Sequence, residues 1–310
     1  MVSGIRILFC GPIVFNPFTD IYPLFFLPDE VTRKALLVSK KHLFIAFSFT
    51  CNVTTSFPPV KEADAPKIFI CGADETSMKA IEAAADMLDF LILPIRGVDD
   101  AGMLHVPGTD YPAGPMIARL RPEVPVITGL MTDYLKALDH PVFCYYDDED
   151  VRNANAALTA EGVLYYFMDK TPRSMFEYTV DLVGYGHTGR QIVKLFACLG
   201  IAVRIVTDQE PEEGGIPMVS YDIWKKGQPA DVIINTAPAR VITKEMAEGY
   251  RKKVLIIDIA SNRVGVDPEV YGMDGIRVEA APGLPGLVAE ESAGNILAEY
   301  LIRKWNLDEQ

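Results

Sequence analysis

Three glycines in the stretch LVGYGHTGR, Gly184, Gly186 and Gly189, stand at the spacing GxGxxG. A run with the apolar content of a strand, YTVDLV, precedes them, and a segment with Ile192, Val193, Phe196 and Leu199 on one helical face follows. That context gives each glycine its own role, with a tight turn at Gly184, backbone approach to a pyrophosphate at Gly186, and close helix–strand packing at Gly189. The free N–H groups and positive end of the following helix then face the phosphates, so Tyr185, His187 and Thr188 join the glycines as cofactor-binding candidates. The next strand ends IVTDQE. Asp208 lies where an acid accepts hydrogen bonds from the adenosine ribose, and Asp208 and Glu210 together repel a 2′-phosphate. This favours NAD, with NADP as the alternative.

Two further strand ends carry polar residues. Asn235, Thr236 and Pro238 follow one strand, and Asp258, Ser261, Asn262 and Arg263 close the next. Ligands of open α/β sheets sit at that edge. Asn235, Thr236, Pro238 and Ser261 are therefore candidates for the nicotinamide half, and Arg263 for a substrate carboxylate. Near the C-terminus, APGLPG places two prolines and two glycines within Pro282–Gly286. Proline fixes backbone and glycine frees it, so Gly283, Leu284, Pro285 and Gly286 are expected to form a bare, rigid wall beside a ligand.

The elements that must hold these residues alternate. YTVDLVG, AVRIVT, DVIINT, VLIIDIA and IRVEAA are apolar strands, with helices such as TGRQIVKLFACLG and TKEMAEGYRK between them. Such alternation implies a doubly wound parallel sheet. Before it, KIFICG, DFLILP and VPVITG are strands, and ETSMKAIEAAADML has helical spacing, so the first half is an open α/β domain. The fold class is thus α/β in two lobes. The expected boundaries are 1–152 for the N-terminal α/β domain, with 1–66 atypical, and 153–171 for a connecting helix. A Rossmann dinucleotide-binding domain over 172–289 and a C-terminal helix over 290–310, returning toward the first lobe, complete the chain.

The 310 residues are 49% hydrophobic and carry a formal net charge of -13. A surface of that sign repels nucleic acid and anionic lipid, while a few local cations suffice for a small anionic substrate. The five cysteines contain no CxxC pair and histidines number four, which argues against a disulfide framework or a metal site and for a reducing cytoplasm. The apolar N-terminal runs are broken by Pro12, Pro17, Pro23 and Pro28, so no membrane span is expected. Nine of the fifteen phenylalanines fall in the first sixty residues, a composition shift that sets this region apart.

The motifs ILPIRGVDDAG, LTAEG, LVGYGHTG, INTAPA, LIIDIAS and APGLPGLVAEESAGNIL occur in order, and the chain from about Lys67 onward resembles the A subunit of dipicolinate synthase. That resemblance implies a nicotinamide-dependent oxidoreductase. Its substrate would be a dihydro- or hydroxytetrahydro-dipicolinate, and its product the dipicolinate of bacterial endospores. It also implies a second, flavoprotein-like subunit. The architecture would be like that of D-2-hydroxy acid dehydrogenases, with the site in a cleft between lobes; a homo-oligomer is compatible with it. APGLPG would then be the wall beside the nicotinamide, and the N-terminus of the SAGNIL helix would face a carboxylate. Arg96, Thr159, Arg263 and Gly283–Gly286 would hold the substrate, Arg96 and Arg263 sharing its two carboxylates. His105 and Glu161 are the candidate proton acceptors, because ring oxidation loses a proton along with a hydride.

The chain departs from the family at several points. His187 stands where the family has Arg, Asp208 where it has a basic residue, Leu158 where it has Pro, and Glu290–Glu291 where it has Pro-Lys. Residues 12–66 do not follow the family's first helix; a remodelled lobe or an altered reading frame accounts for them. Two other readings stand beside the first. One is a D-2-hydroxy acid dehydrogenase, although no His follows Asp267 to serve as its base. The other is a nucleotide-binding subunit without catalysis of its own.

Overall fold

The structure, a computed structural model, describes residues 6–9, 34–37, 67–70, 85, 88–93, 97–106, 109–209, 215–260 and 265–305. The chain divides into two compact units, Met1–Arg152 with Glu290–Gln310, and Asn153–Ala289.

The first unit is built on a six-stranded sheet. Its strands are β1 (Arg6–Phe9), β2 (Lys34–Leu37), β3 (Lys67–Ile70), β4 (Phe90–Ile92), β7 (Val126–Thr128) and β8 (Val142–Cys144), in the order β2-β1-β3-β4-β7-β8. Within this sheet only the β1–β2 pair is antiparallel. β4 and β7 are buried along their whole length, as their unbroken apolar sequences require of strands covered on both faces. A separate antiparallel hairpin, β5 (Met103–Val106) with β6 (Thr109–Pro112), leads into the short helix α1 (Ala113–Ile117). Helix α2 (Asp133–Lys136) follows β7, capped by the Thr132 hydroxyl accepting from the Leu135 N–H. The helix expected in ETSMKAIEAAADML falls mostly outside the described residues.

Helix α3 (Glu149–Lys170) begins four residues before the expected Asn153. The reason is local: Asp148 accepts from the Val151 N–H at 3.1 Å, an N-cap bond that satisfies an orphan donor of the first turn, and Glu149 and Asp150 follow where acids favour the helix dipole.

The second unit continues with β9 (Thr179–Val183), α4 (His187–Leu199), β10 (Ala202–Val206), β11 (Met218–Val219), α5 (Tyr221–Trp224), β12 (Val232–Asn235), α6 (Lys244–Glu248), β13 (Val254–Asp258), β14 (Ile276–Ala280) and α7 (Leu284–Val288). Its sheet is wholly parallel, in the order β11-β10-β9-β12-β13-β14. β9 pairs with β10 on one side and β12 on the other, so the chain reverses its direction of winding between β9 and β12. That reversal opens the crevice in which doubly wound folds bind ligands. On one side of the sheet the core joins Ile192, Val193 and Phe196 of α4 to Leu182, Ile205 and Ile234 of the strands and Phe167 of α3.

The last helix, α8 (Glu290–Trp305), belongs to the first unit. Leu297, Ala298, Tyr300 and Leu301 pack against Phe90, Ile92 and Ile127, and Trp305 meets Phe90 and Phe143 edge-on at 5.2 Å. Among the described residues no helix is long and apolar enough to cross a membrane, and no cluster of His, Cys, Asp and Glu is placed to hold a metal ion.

Candidate dinucleotide site

The three glycines of the GxGxxG loop face different constraints. Gly184 has φ +97°, a conformation that side chains rarely adopt, and a β-carbon there would lie 2.4 Å from Thr236 Oγ1. A β-carbon on Gly189 would lie 2.3 Å from the Gly184 carbonyl oxygen, so this glycine seats α4 on the turn. Gly186 is different. Its backbone is ordinary extended chain (φ -83°, ψ -161°), and a β-carbon there would meet nothing within 4 Å. The protein's own packing explains the outer two glycines and leaves the middle one bare.

Gly186 is also the N-cap of α4, whose first turn carries no acidic residue. The first amides of a helix lack intrahelical acceptors, and the helix dipole places partial positive charge beside them. Thr236 closes the loop from β12: its N–H and its hydroxyl both donate to the Val183 carbonyl, at 2.8 and 3.0 Å. The switch point therefore presents an open, electropositive backbone suited to a pyrophosphate.

At the end of β10, Asp208 is exposed, and its Oδ1 accepts from the Tyr221 N–H at 3.0 Å. The bond ties the turn to the start of α5 and leaves the carboxylate further acceptor sites for ribose hydroxyls. Glu210, Ser261 and Arg263 lie outside the described residues, as does Arg96.

Across the switch point, Asn235 and Asp258 are register partners at the ends of β12 and β13. Both are buried, with Asn235 Nδ2 donating to Asp258 Oδ1 at 2.9 Å. A β-carbon on Gly265 would lie 1.9 Å from Asn235 Nδ2, so the returning chain lies directly on this pair. Asn235 thus braces the strand ends, its Oδ1 accepting from the Ala237 N–H at 3.2 Å, while Pro238 is exposed on the turn beyond.

The APGLPG stretch is shorter as a loop than its composition suggests. Gly283 takes φ +70°, and Leu284 then opens the short helix α7 with Pro285 in its first turn. Leu284 is buried, and Gly162 of α3 is its seat: a β-carbon on Gly162 would lie 2.5 Å from Leu284 Cβ. Thr159, one turn earlier on α3, is on the same face as Gly162 and donates its hydroxyl to the Asn155 carbonyl at 2.8 Å. Glu161, the next candidate, is exposed. The structure thus gathers LTAEG and APGLPG into one neighbourhood of the second unit.

The last helix opens at Glu290, so the SAGNIL stretch lies inside it, two residues past the start. Glu290 and Glu291 occupy its first turn, and burial, with Glu291 nearby, raises the Glu290 carboxyl above its ordinary range. The helix start is already complemented by acids of its own, which opposes a substrate carboxylate there.

His105 lies in the first unit, on the β5–β6 hairpin. Its Nδ1 is 2.8 Å from Asp110 Oδ1 and its Nε2 is 3.0 Å from Asp99 Oδ2. Hydrogen bonds to Asp110 and then Asp99 raise the imidazole above its usual value, because two carboxylates ask both ring nitrogens to donate. In this arrangement His105 accepts a proton only above that raised value. Asp99 is lowered, chiefly by the Met103 N–H, with His105 also contributing. The histidine's contribution is full below its unfolded value and fades as pH rises through the raised one; that of Asp99 is full above its unfolded value and fades as pH falls through the lowered one. The clamp is therefore complete from about pH 4 to about pH 6.5. In His105→Gln, amide exchange in the hairpin should lose its extra protection in that window; a pH profile matching the wild type would contradict the clamp.

One buried network lies beyond the sequence reasoning. Asp181, fully buried in mid-β9, binds Arg204 of β10 through two bonds of 2.8 Å and also accepts from Trp224 Nε1 at 2.7 Å and Ala230 N at 2.8 Å. A signal for it exists: TVDLV and AVRIV each carry one charge at the third position, and these two residues are register partners.

A six-stranded parallel sheet with a glycine loop at its switch point defines a two-unit α/β protein whose second unit has the Rossmann topology. Within that class the chain resembles the A subunit of dipicolinate synthase. The A subunit of the Bacillus subtilis (strain 168) enzyme is 25% identical over 244 residues, covering 74% of this chain and 80% of that protein. The crystal structure of the corresponding A subunit from Bacillus halodurans superposes with a TM-score of 0.66 at 26% identity, over 78% of this chain and 89% of that one. A transhydrogenase from Sinorhizobium meliloti shares the fold, with a TM-score of 0.53 at 16% identity over 78% of this chain and 86% of that one. No family model matches the chain.

Proposed function

We propose that this protein is a nicotinamide-dependent oxidoreductase of the dipicolinate synthase type. The observation that carries the reading is the bare Gly186 at the switch point, in a chain similar to the A subunit of that enzyme in both sequence and fold. The residues of the loop fit a dinucleotide: Gly184, Tyr185, Gly186, His187, Thr188 and Gly189 would hold the pyrophosphate, Asp208 the adenosine ribose, and Thr236, Pro238 and Ser261 the nicotinamide half, while the buried Asn235 braces the strand ends beneath them. When bound, the cofactor supplies hydride acceptance. The protein's own part is to orient a dihydro-dipicolinate, or a hydroxytetrahydro-dipicolinate that first loses its hydroxyl as water, and to take up the proton released with the hydride on oxidation to dipicolinate. Thr159, Gly283, Pro285 and Gly286 are the proposed substrate wall, anchored on α3 by the buried Leu284, with Arg96 and Arg263 as carboxylate partners. Glu161, beside that wall on α3, is the proposed proton acceptor in preference to the clamped His105. We place the reaction in the cytoplasm of a sporulating cell, alongside a second, flavoprotein-like subunit.

NAD is the proposed cofactor. Asp208 keeps acceptor capacity beyond its bond to Tyr221, and its charge opposes a 2′-phosphate. Wild-type protein should therefore bind NAD more tightly than NADP in calorimetry. Asp208→Ser removes both an acceptor and a repulsion, and should move the ratio toward NADP by about tenfold, or 1.4 kcal/mol. A wild type that prefers NADP would refute this assignment.

A further inference from the structure

The end of β10 carries an acid, Asp208, and the first turns of α4 carry a cation, Arg190. Arg190, directly after Gly189, donates from Nη2 to Gln209 Oε1 at 3.0 Å. Gln209 Nε2 in turn donates to the Tyr185 carbonyl at 3.4 Å, and the Arg190 guanidinium carbon lies 4.8 Å from the centre of the Tyr185 ring. A residue of the glycine loop, one of the helix behind it and one beside Asp208 are thereby joined. Arg190 and Gln209 are both exposed.

The adenosine ribose of a dinucleotide in this fold lies between the glycine loop and the end of the second strand. There an acid serves a free 2′-hydroxyl, and a nearby arginine serves a 2′-phosphate. Both kinds of residue are present here. We propose that Arg190 is the residue that admits a 2′-phosphorylated dinucleotide, and that cofactor preference is set by the opposition of Arg190 and Asp208. The inference rests on the dinucleotide reading above and names its specificity determinant.

The physical basis is an exchange of partners. Gln209, one of Arg190's partners, offers it a neutral amide oxygen. A phosphate offers charged oxygens in a geometry that the guanidinium fork matches, and such charge-assisted bonds are shorter and stronger than neutral ones. A 2′-phosphate would take over from Gln209, while the Tyr185 ring holds the guanidinium in place. Asp208 acts in the opposite sense by repelling the same phosphate. The acid alone, read from the sequence after Thr207, favours NAD with NADP as the alternative; the pair names the residue through which a 2′-phosphate is still accepted.

The test uses the full-length chain and two probes, ADP and 2′,5′-ADP, titrated by calorimetry. Arg190→Ala should weaken 2′,5′-ADP by about tenfold to a hundredfold, the worth of a charge-assisted contact, and leave ADP within about twofold. Asp208→Ser should strengthen 2′,5′-ADP, and adding Arg190→Ala should cancel that gain. Arg190→Lys, which keeps the charge without the fork, should recover part of it. Equal loss for both probes, or no change in 2′,5′-ADP where ADP still binds, would overturn the role of Arg190 and leave the dinucleotide reading intact. Failure of the wild type to bind either probe would overturn both.

Discussion

Gly186→Val should abolish dinucleotide binding while the variant melts close to the wild type. The expected affinity loss is about a hundredfold or more, or about 2.8 kcal/mol. The separation of effects follows from geometry. Gly186 has dihedral angles open to any residue, and no neighbouring atom lies within 4 Å of an added β-carbon. The β-carbon of the valine therefore meets nothing in the folded protein, and the loss of a glycine N-cap is the stability cost that remains. The valine fills the one surface of the loop that a pyrophosphate must approach, beside the first amides of α4. Gly189 is the control. A β-carbon there meets the Gly184 carbonyl oxygen at 2.3 Å, so Gly189→Ala should lower stability whether or not nucleotide is present. Unchanged affinity in Gly186→Val, measured by calorimetry, would place the ligand elsewhere.

Asp181→Ala should destabilise the second unit by about 3–5 kcal/mol, the cost of breaking a buried ion pair from one side. Removing the carboxylate strands Trp224 Nε1 and the Ala230 N–H in the core and takes the bidentate partner from the partly exposed Arg204 guanidinium. Arg204→Ala is the milder change, because its side chain is 39% exposed while Asp181 keeps its other two donors. Chemical denaturation gives the comparison directly. Equal, small losses in the two variants would show that the network contributes little.

Asp181 and Arg204 also show how far the sequence can be read. Each is visible as a charge in an apolar strand, but their partnership depends on a register that no local pattern states. The strands themselves are legible, since β12 and β13 are runs of β-branched and aliphatic residues between turns, and the GxGxxG context locates the switch point. Asp208 is legible as an acid at a strand end; its bond to Tyr221 is not, because that contact depends on where α5 begins.

Long-range contacts account for most of what the sequence hides. Arg190 belongs to a helix and Gln209 to the turn after the following strand, so nothing in either segment announces the other. The pairing of Gly162 with Leu284 explains the glycine of LTAEG and the leucine of APGLPG together, a contact that neither motif states on its own. His105 looks like a free base in the sequence because Asp99 and Asp110 become its neighbours only once the hairpin closes. The last helix opens at Glu290 because Glu290 and Glu291 are good first-turn residues, which leaves the SAGNIL stretch inside the helix and not at its N-terminus.

The central claim is that this chain transfers a hydride from a reduced dipicolinate precursor to a nicotinamide. The most direct measurement mixes the purified protein, NAD and freshly generated dihydrodipicolinate, and follows NADH fluorescence and dipicolinate together. The account predicts that both rise in equal amounts, and that neither rises faster than the uncatalysed background with Gly186→Val. NAD that binds to the wild type but stays oxidised in the presence of the substrate, with dipicolinate forming no faster than without protein, would contradict it.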